Sequence, residues 1–212
     1  MKSSGIIFCL LLLLFCSANT LFATEIRIVV LGDSLTAGYG LSQPAAFPAR
    51  LEEALKKKHP KVKVFNSGVS GDTSMGGLAR LDWALANQPN LMIIELGAND
   101  ALRGLNPQQT EQNLSSLLHR LRDKGVQALL TGMKAPRNLG EEYYSKFDRI
   151  YPKLAIQHQV PFYPFFLDGV AGVPGLNQPD GIHPNPAGVD KIVSGILPLV
   201  EELLQRIHPD QN

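Results

Sequence analysis

Ile26-Arg27-Ile28-Val29-Val30-Leu31-Gly32-Asp33-Ser34-Leu35-Thr36-Ala37-Gly38 is a short apolar run, rich in β-branched residues, that ends in glycine and polar residues. Such a run reads as a buried strand that stops in a tight loop. In an open α/β sheet, ligands bind in the crevice outside the carboxyl ends of the strands, so Ser34 is expected at the lip of that crevice. A hydroxyl there is a candidate nucleophile. The plain structural alternative is a helix cap or turn former.

The pattern continues along the chain. Strands are expected over 62–65, 91–96, 126–131 and 161–166, and helices over 46–58, 77–86, 107–124, 141–158 and 186–207. In the first helix Phe47, Leu51 and Leu55 form one stripe, and Lys56, Lys57 and Lys58 end it as a solvated face with Lys61 and Lys63. Attraction of these lysines to anionic lipid is the alternative. Trp83 is expected to pack, and His59, His119, His158 and His208 read as solvated residues. Asn113-Leu114-Ser115 matches a glycosylation acceptor but falls inside a helix and is discounted. Strands alternating with helices imply a parallel sheet covered on both faces. Right-handed crossovers then favour an α/β fold: a flavodoxin-like three-layer α/β/α sandwich with a five-stranded parallel sheet of order 2-1-3-4-5.

The 212 residues, 44% hydrophobic and 18% charged, suit one domain with a sizeable core. Residues 1–23 stand apart. Lys2 precedes an apolar run from Ile6 to Phe15, followed by small and polar residues, which is the layout of a secretory signal peptide and too short for a comfortable span. Retention as an anchor is the alternative. Both cysteines, Cys9 and Cys16, fall in this segment, so a mature chain of residues 24–212 has none, and Phe15 makes lipid attachment at Cys16 a poor fit. Loss of Lys2 takes the formal charge from +1 to 0, which offers nothing to nucleic acid.

Four polar segments follow strands or precede the final helix, which places them on one edge of the sheet, where they can converge. Acyl transfer needs a nucleophile, a base, a group that orients the base, and donors for the developing oxyanion. Ser34 supplies the hydroxyl. His183 can take its proton on one ring nitrogen while the other bonds Asp180, three residues away within a turn, and Pro184 limits His183 to an extended backbone. The expected oxyanion donors are the N–H groups of Ser34 and Gly71 and the side-chain amide of Asn99. A side chain at position 71 would obstruct the approach. A metal held by Asp180 and His183 is disfavoured, because zinc needs three or four ligands and no further histidine or cysteine lies nearby in sequence. Asp33 and Asp72 read as hydrogen-bond acceptors that orient their loops.

Gly-Asp-Ser-Leu at 32–35, the glycine of Ser-Gly-Asp-Thr at 70–73, Gly-Ala-Asn-Asp at 97–100 and Asp-Gly-Ile-His-Pro at 180–184 resemble, in order, the four blocks of the SGNH hydrolases, also called GDSL esterases. The linking text, including Gly-Leu-Ala-Arg at 77–80 and Pro-Gln-Gln-Thr-Glu-Gln at 107–112, resembles the bacterial periplasmic branch of acyl-CoA thioesterase I, lysophospholipase L1 and arylesterase. The resemblance implies a serine esterase with Ser34, Asp180 and His183 as triad and Ser34, Gly71 and Asn99 as oxyanion hole. It implies no cofactor, no metal and an exported location. The implied partner is a small lipid-like ester or thioester, with transient contact of a membrane surface left open and the oligomeric state undetermined. Ser34 does not sit in a Gly-x-Ser-x-Gly elbow, which separates the chain from the larger α/β-hydrolases. Leu102, Leu105, Met133, Pro136, Leu139 and Phe165 are candidates to line an acyl groove, with core packing as the alternative role. A carbohydrate O-acetylesterase of the same fold is a second reading, though one tryptophan offers little for stacking on sugars; an exported lipid- or glycan-binding module is a third, and it would be expected to carry a damaged block.

Overall fold

The computed structural model describes residues 25–207; the expected signal segment, both cysteines and His208 lie outside them. In chain order the elements are β1 (Ile26–Gly32), α1 (Ser34–Ala37), α2 (Phe47–Leu55), β2 (Val62–Gly68), α3 (Ser74–Ala79), α4 (Leu81–Leu85), β3 (Leu91–Glu95), α5 (Ala98–Leu102), α6 (Pro107–Asp123), β4 (Gln127–Thr131), α7 (Glu141–Asp148), α8 (Ile150–His158), β5 (Phe162–Tyr163) and α9 (Pro186–Ile207). The five strands form one parallel sheet of order β2-β1-β3-β4-β5. Helices α2 and α9 pack together on one face, and α6 packs with α3 and α8 on the other.

The central strands β1 and β3 are buried on both faces, which is why they are almost continuously apolar, whereas the edge strand β2 exposes Lys63 and Asn66. Ile28, Val29, Val30 and Leu31 are fully buried, as are Leu91, Met92, Ile93 and Ile94. The register matters for function. Gly32 lies opposite both Gly68 and Glu95, so β1, β2 and β3 end at one level and hand their loops to the same edge.

Several elements depart from the periodicity, each for a local reason. The helix expected over 141–158 is two helices joined at Arg149, because Pro152 has no N–H to give the carbonyl of Asp148, four residues back. The helix expected over 77–86 starts earlier, where the Thr73 hydroxyl caps it by accepting from Gly76 N–H, and it breaks at Arg80, whose side chain turns toward the strand ends. Strand β5 is two residues long because Pro161 and Pro164 bracket it without N–H groups to pair. Trp83 does not pack: α4 buries Leu81 and Ala84 and leaves Trp83 60% exposed. His59 is buried in the turn between α2 and β2, not solvated. His119 is exposed beside Asp123, and the ring of half-buried His158 bonds the Ser115 hydroxyl. Asn113 is buried in α6 and donates to Ser74 Oγ, which leaves no room for a glycan.

Candidate active site

Ser34 is the first residue of α1, and Asp33 is its N-cap, accepting from Leu35 N–H. The residue capping the helix is therefore the aspartate, which leaves the serine hydroxyl unused by the turn. His183 reaches it from the segment before α9, with Nε2 2.9 Å from Ser34 Oγ. The other ring nitrogen, Nδ1, is 2.7 Å from Asp180 Oδ2. Asp180 Oδ1 also accepts the main-chain N–H groups of Ile182 and His183, both at 3.0 Å, so one carboxylate shapes the turn and orients the ring. Those donors, with the His183 N–H as the largest influence and its ring next, hold the Asp180 carboxyl down at about 2. The turn is anchored by Gln178, whose N–H donates to the His183 carbonyl and whose amide donates to the carbonyls of Tyr39 and Pro184. The Tyr39 ring leans on the His183 imidazole with centroids 4.6 Å apart.

Asn99 stands in the first turn of α5 and donates from Nδ2 to Asp33 Oδ2 at 3.1 Å. Gly71 lies in the loop after β2, where its φ of +85° is in the left-handed region. A Cβ there would meet nothing nearer than Arg103 Nη2 at 3.5 Å. Within the protein, backbone conformation rather than space is what asks for glycine at this position. The Gly71 carbonyl accepts from Arg103, which fixes which way the peptide faces.

Ser34, Asn99 and His183 open together onto a cleft of about 560 Å³. Its walls are mainly apolar, with Leu102, Met133, Pro136 and Phe165 among them as expected. Leu105 and Leu139 do not line it. Leu105 is on the outer side of the α5–α6 connection, its carbonyl taken by the Tyr143 hydroxyl, and the 3-10 turn Arg137–Leu139 turns Arg137 rather than Leu139 into the cleft. Two cations, Lys134 and Arg137, lie on the rim, with no carboxylate among the lining residues. Lys134 is held over the Phe165 ring at 4.6 Å, while Arg137 is paired with Asp148 and lies over Tyr144.

Residues given no catalytic role hold these parts together. Arg80 donates to the carbonyls of Gly32 at 2.7 Å and Ser67 at 2.6 Å and pairs with Asp72, which ties the ends of β1 and β2 to the Gly71 loop. Buried Asp100 accepts from Ser74 N–H and Oγ and from the Thr110 hydroxyl, joining α3, α5 and α6. Glu95 is fully buried at the end of β3. Burial first, then the charge of Asp33, holds its carboxyl well above the ordinary range, and burial raises Asp33 to about 6. An acid closing an otherwise apolar strand was a visible signal; Arg80 stands in the Gly-Leu-Ala-Arg stretch of the resemblance but without a readable role, and Tyr39 had no signal in sequence alone.

Among the described residues no group of three or more histidine, cysteine or acidic side chains could hold a metal, and no helix is long and apolar enough to cross a membrane.

The sequence profile of the GDSL-like lipase/acylhydrolase family matches residues 30–191. The chain belongs to this family. It is 42% identical over 178 residues to "Esterase TesA" of Pseudomonas aeruginosa, covering 84% of this chain and 89% of that protein. It is 44% identical over 178 residues to "Thioesterase 1/protease 1/lysophospholipase L1" of Escherichia coli, covering 82% and 84%. The crystal structure of AlinE4, an SGNH-hydrolase family esterase, superposes with a TM-score of 0.72 at 44% identity, over 85% of this chain and 97% of that one. This GDSL family member is accordingly a carboxylic ester hydrolase with the SGNH fold.

Proposed function

We propose that this esterase cleaves fatty acyl esters and thioesters bearing an anionic head group, through a Ser34–His183–Asp180 triad and an acyl-enzyme. The observation that carries the mechanism is the unbroken relay from Ser34 Oγ through the imidazole to Asp180, 2.9 and 2.7 Å long, at the mouth of an apolar cleft. His183 Nε2 removes the hydroxyl proton as Oγ attacks the carbonyl carbon, and Asp180 keeps Nδ1 as the protonated donor. The tetrahedral oxyanion is held by the N–H groups of Ser34 and Gly71 and by Asn99 Nδ2. Collapse expels the alcohol or thiol, which takes the proton from His183. Water then attacks the acyl carbonyl with His183 again as base, and Ser34 recovers its proton when the carboxylic acid leaves. No cofactor or metal enters any step.

The substrate class rests on the cleft. Its volume is in the range of small-molecule sites, and apolar walls suit an acyl chain. Lys134 and Arg137 on the rim suit a phosphate beyond the ester. The names of the Escherichia coli relative, thioesterase and lysophospholipase, describe substrates of that kind. A signal segment at 1–23 would deliver the mature chain, one domain over 24–212, to the periplasm or outside the cell, where lysophospholipids are within reach. Hydrolysis of p-nitrophenyl esters of increasing acyl length, with Ser34→Ala as control, tests the reading. Ser34-dependent turnover that rises toward medium and long chains is expected; activity confined to acetyl esters would contradict it.

A further inference from the structure

Two buried carboxyl groups lie under the nucleophile loop, and the chemistry above uses neither. Asp33 Oδ1 accepts from Leu35 N–H at 3.0 Å, and Oδ2 accepts from Asn99 Nδ2 at 3.1 Å. Glu95 Oε2 accepts from the Thr36 hydroxyl at 2.8 Å and from Asp33 N–H at 3.2 Å. Glu95 Oε1 is buried and has no hydrogen-bond partner among the described residues. Gly32 makes the arrangement possible, since a Cβ there would lie 2.0 Å from Thr36 Oγ1 and 2.5 Å from Glu95 Oε2.

Two neighbouring buried carboxyl groups do not both ionise; the one with the poorer surroundings keeps a proton. Glu95 is the deeper of the two, and burial and the charge of Asp33 both favour its neutral form. Asp33 has donors on both oxygens, from Leu35 and from Asn99, and is the group that carries the charge. An ionised carboxylate only accepts, so it selects the NH₂ end of the Asn99 amide and never its oxygen. The amide has two N–H bonds. One is spent on Asp33, and the second is left for the cleft that Asn99 lines beside Ser34 and His183.

We propose that Asp33, backed by Glu95, is a positioning residue that locks the Asn99 amide with one N–H aimed at the oxyanion. The proposal rests on the reading of Asn99 as an oxyanion donor. It gives the aspartate of the Gly-Asp-Ser-Leu block a task distinct from capping α1, because its two oxygens serve different partners.

Asp33→Asn separates the two tasks. Asparagine is as good an N-cap as aspartate, so the helix start and the fold are kept. Its amide can present N–H to Asn99 and so loses the discrimination. The expected result is kcat lowered at least about tenfold with KM within about twofold, the pattern of an interaction made only in the transition state. In an Asn99→Ala background the same change should cost less than about twofold more, because a residue acting through Asn99 has nothing left to position. Glu95→Leu should lower kcat in the same way. Glu95→Gln, which keeps an acceptor for Thr36 and for the Asp33 N–H and is uncharged like the protonated acid, should recover most of it. An Asp33→Asn enzyme with unchanged kcat, or one whose loss multiplies in full with that of Asn99→Ala, overturns the proposal. The triad reading is checked separately by Ser34→Ala, whose full activity would refute that reading while leaving the Asp33–Asn99 coupling measurable on the remaining hydrolysis.

Discussion

Arg80 lies outside the cleft, yet its loss should damage both stability and turnover. Its side chain is only 17% exposed, and its guanidinium makes hydrogen bonds to the carbonyls of Gly32 and Ser67 near the ends of β1 and β2, together with an ion pair to Asp72. The Gly32 carbonyl also accepts from Val69 N–H, so Arg80→Ala does not orphan it. Charge-assisted bonds of this kind are worth about 1.5–3 kcal/mol each when a buried group loses its partner, less where a second partner stays. Partial exposure of the Asp72 pair reduces its share. A total of about 2–4 kcal/mol follows, which for a domain of this size lowers Tm by roughly 10 °C. Because Asp72 adjoins Gly71, the released loop should also misplace the Gly71 N–H, lowering kcat on a short p-nitrophenyl ester about tenfold or more. Arg80→Lys should recover little, since an ammonium cannot reproduce a planar fork that meets two carbonyls and a carboxylate together. Thermal unfolding followed by circular dichroism and initial-rate kinetics on the same preparations would measure both effects. An Arg80→Ala protein with Tm within about 2 °C of the parent and unchanged kcat would refute the reasoning, since it would mean that the clamp contributes less than a typical surface substitution.

Asn99→Ala should cut kcat by about 10²–10³ with little change in KM, as expected when one oxyanion donor is removed; steady-state kinetics on a soluble ester would read the split. Lys134→Gln, at a rim residue with no carboxylate partner among the described residues, should lower kcat/KM for a lysophospholipid several-fold but leave a neutral ester of equal acyl length unaffected, and added salt should shrink the difference. Equal effects on both substrates would remove Lys134 from head-group recognition. The Asp33 carboxyl, raised to about 6, gives a pH signature in stability. Between about pH 4 and 6 the unfolded chain has released this proton and the folded one retains it, so the Asp33 contribution to stability falls as pH rises through that window. Denaturant unfolding of Asp33→Asn against the parent should therefore favour the variant increasingly from pH 4 to pH 7, by on the order of 2–3 kcal/mol. A difference that stays constant with pH would mean that Asp33 is not the group that titrates.

The order of the strands and the edge on which the site stands were legible in the sequence because the central strands of a parallel sheet, covered on both faces, must be written as apolar runs, each ending in a polar loop. Gly32, Gly68 and Glu95 then fall at one level by register alone. Ser34, His183 and Asp180, named from their blocks, are joined by hydrogen bonds, and Asn99, named from its own, lines the cleft beside Ser34 and His183. Helix boundaries were less legible, because Pro152 acts on a carbonyl four residues away and Arg80 ends a helix for the sake of contacts with distant strands. Trp83 shows the limit of composition: a large aromatic implies burial only if its helix turns that face inward, and α4 buries Leu81 and Ala84 instead. The groove was half legible. Met133, Pro136, Phe165 and Leu102 line it, whereas Leu105 and Leu139 depend on how an irregular loop turns, which no periodicity encodes. Arg80 and Tyr39 act through contacts far apart in sequence, so neither role could be read locally, although Arg80 stands in the Gly-Leu-Ala-Arg stretch.

The central claim is that Ser34 attacks the substrate and carries the acyl group. Incubation of the mature protein with a p-nitrophenyl alkylphosphonate, followed by peptide mass spectrometry, tests it most directly. The account predicts one phosphonyl group, on Ser34, with loss of esterase activity in step with labelling and no adduct in Ser34→Ala. Complete inhibition with the adduct on another residue, or labelling that persists in Ser34→Ala, would contradict it.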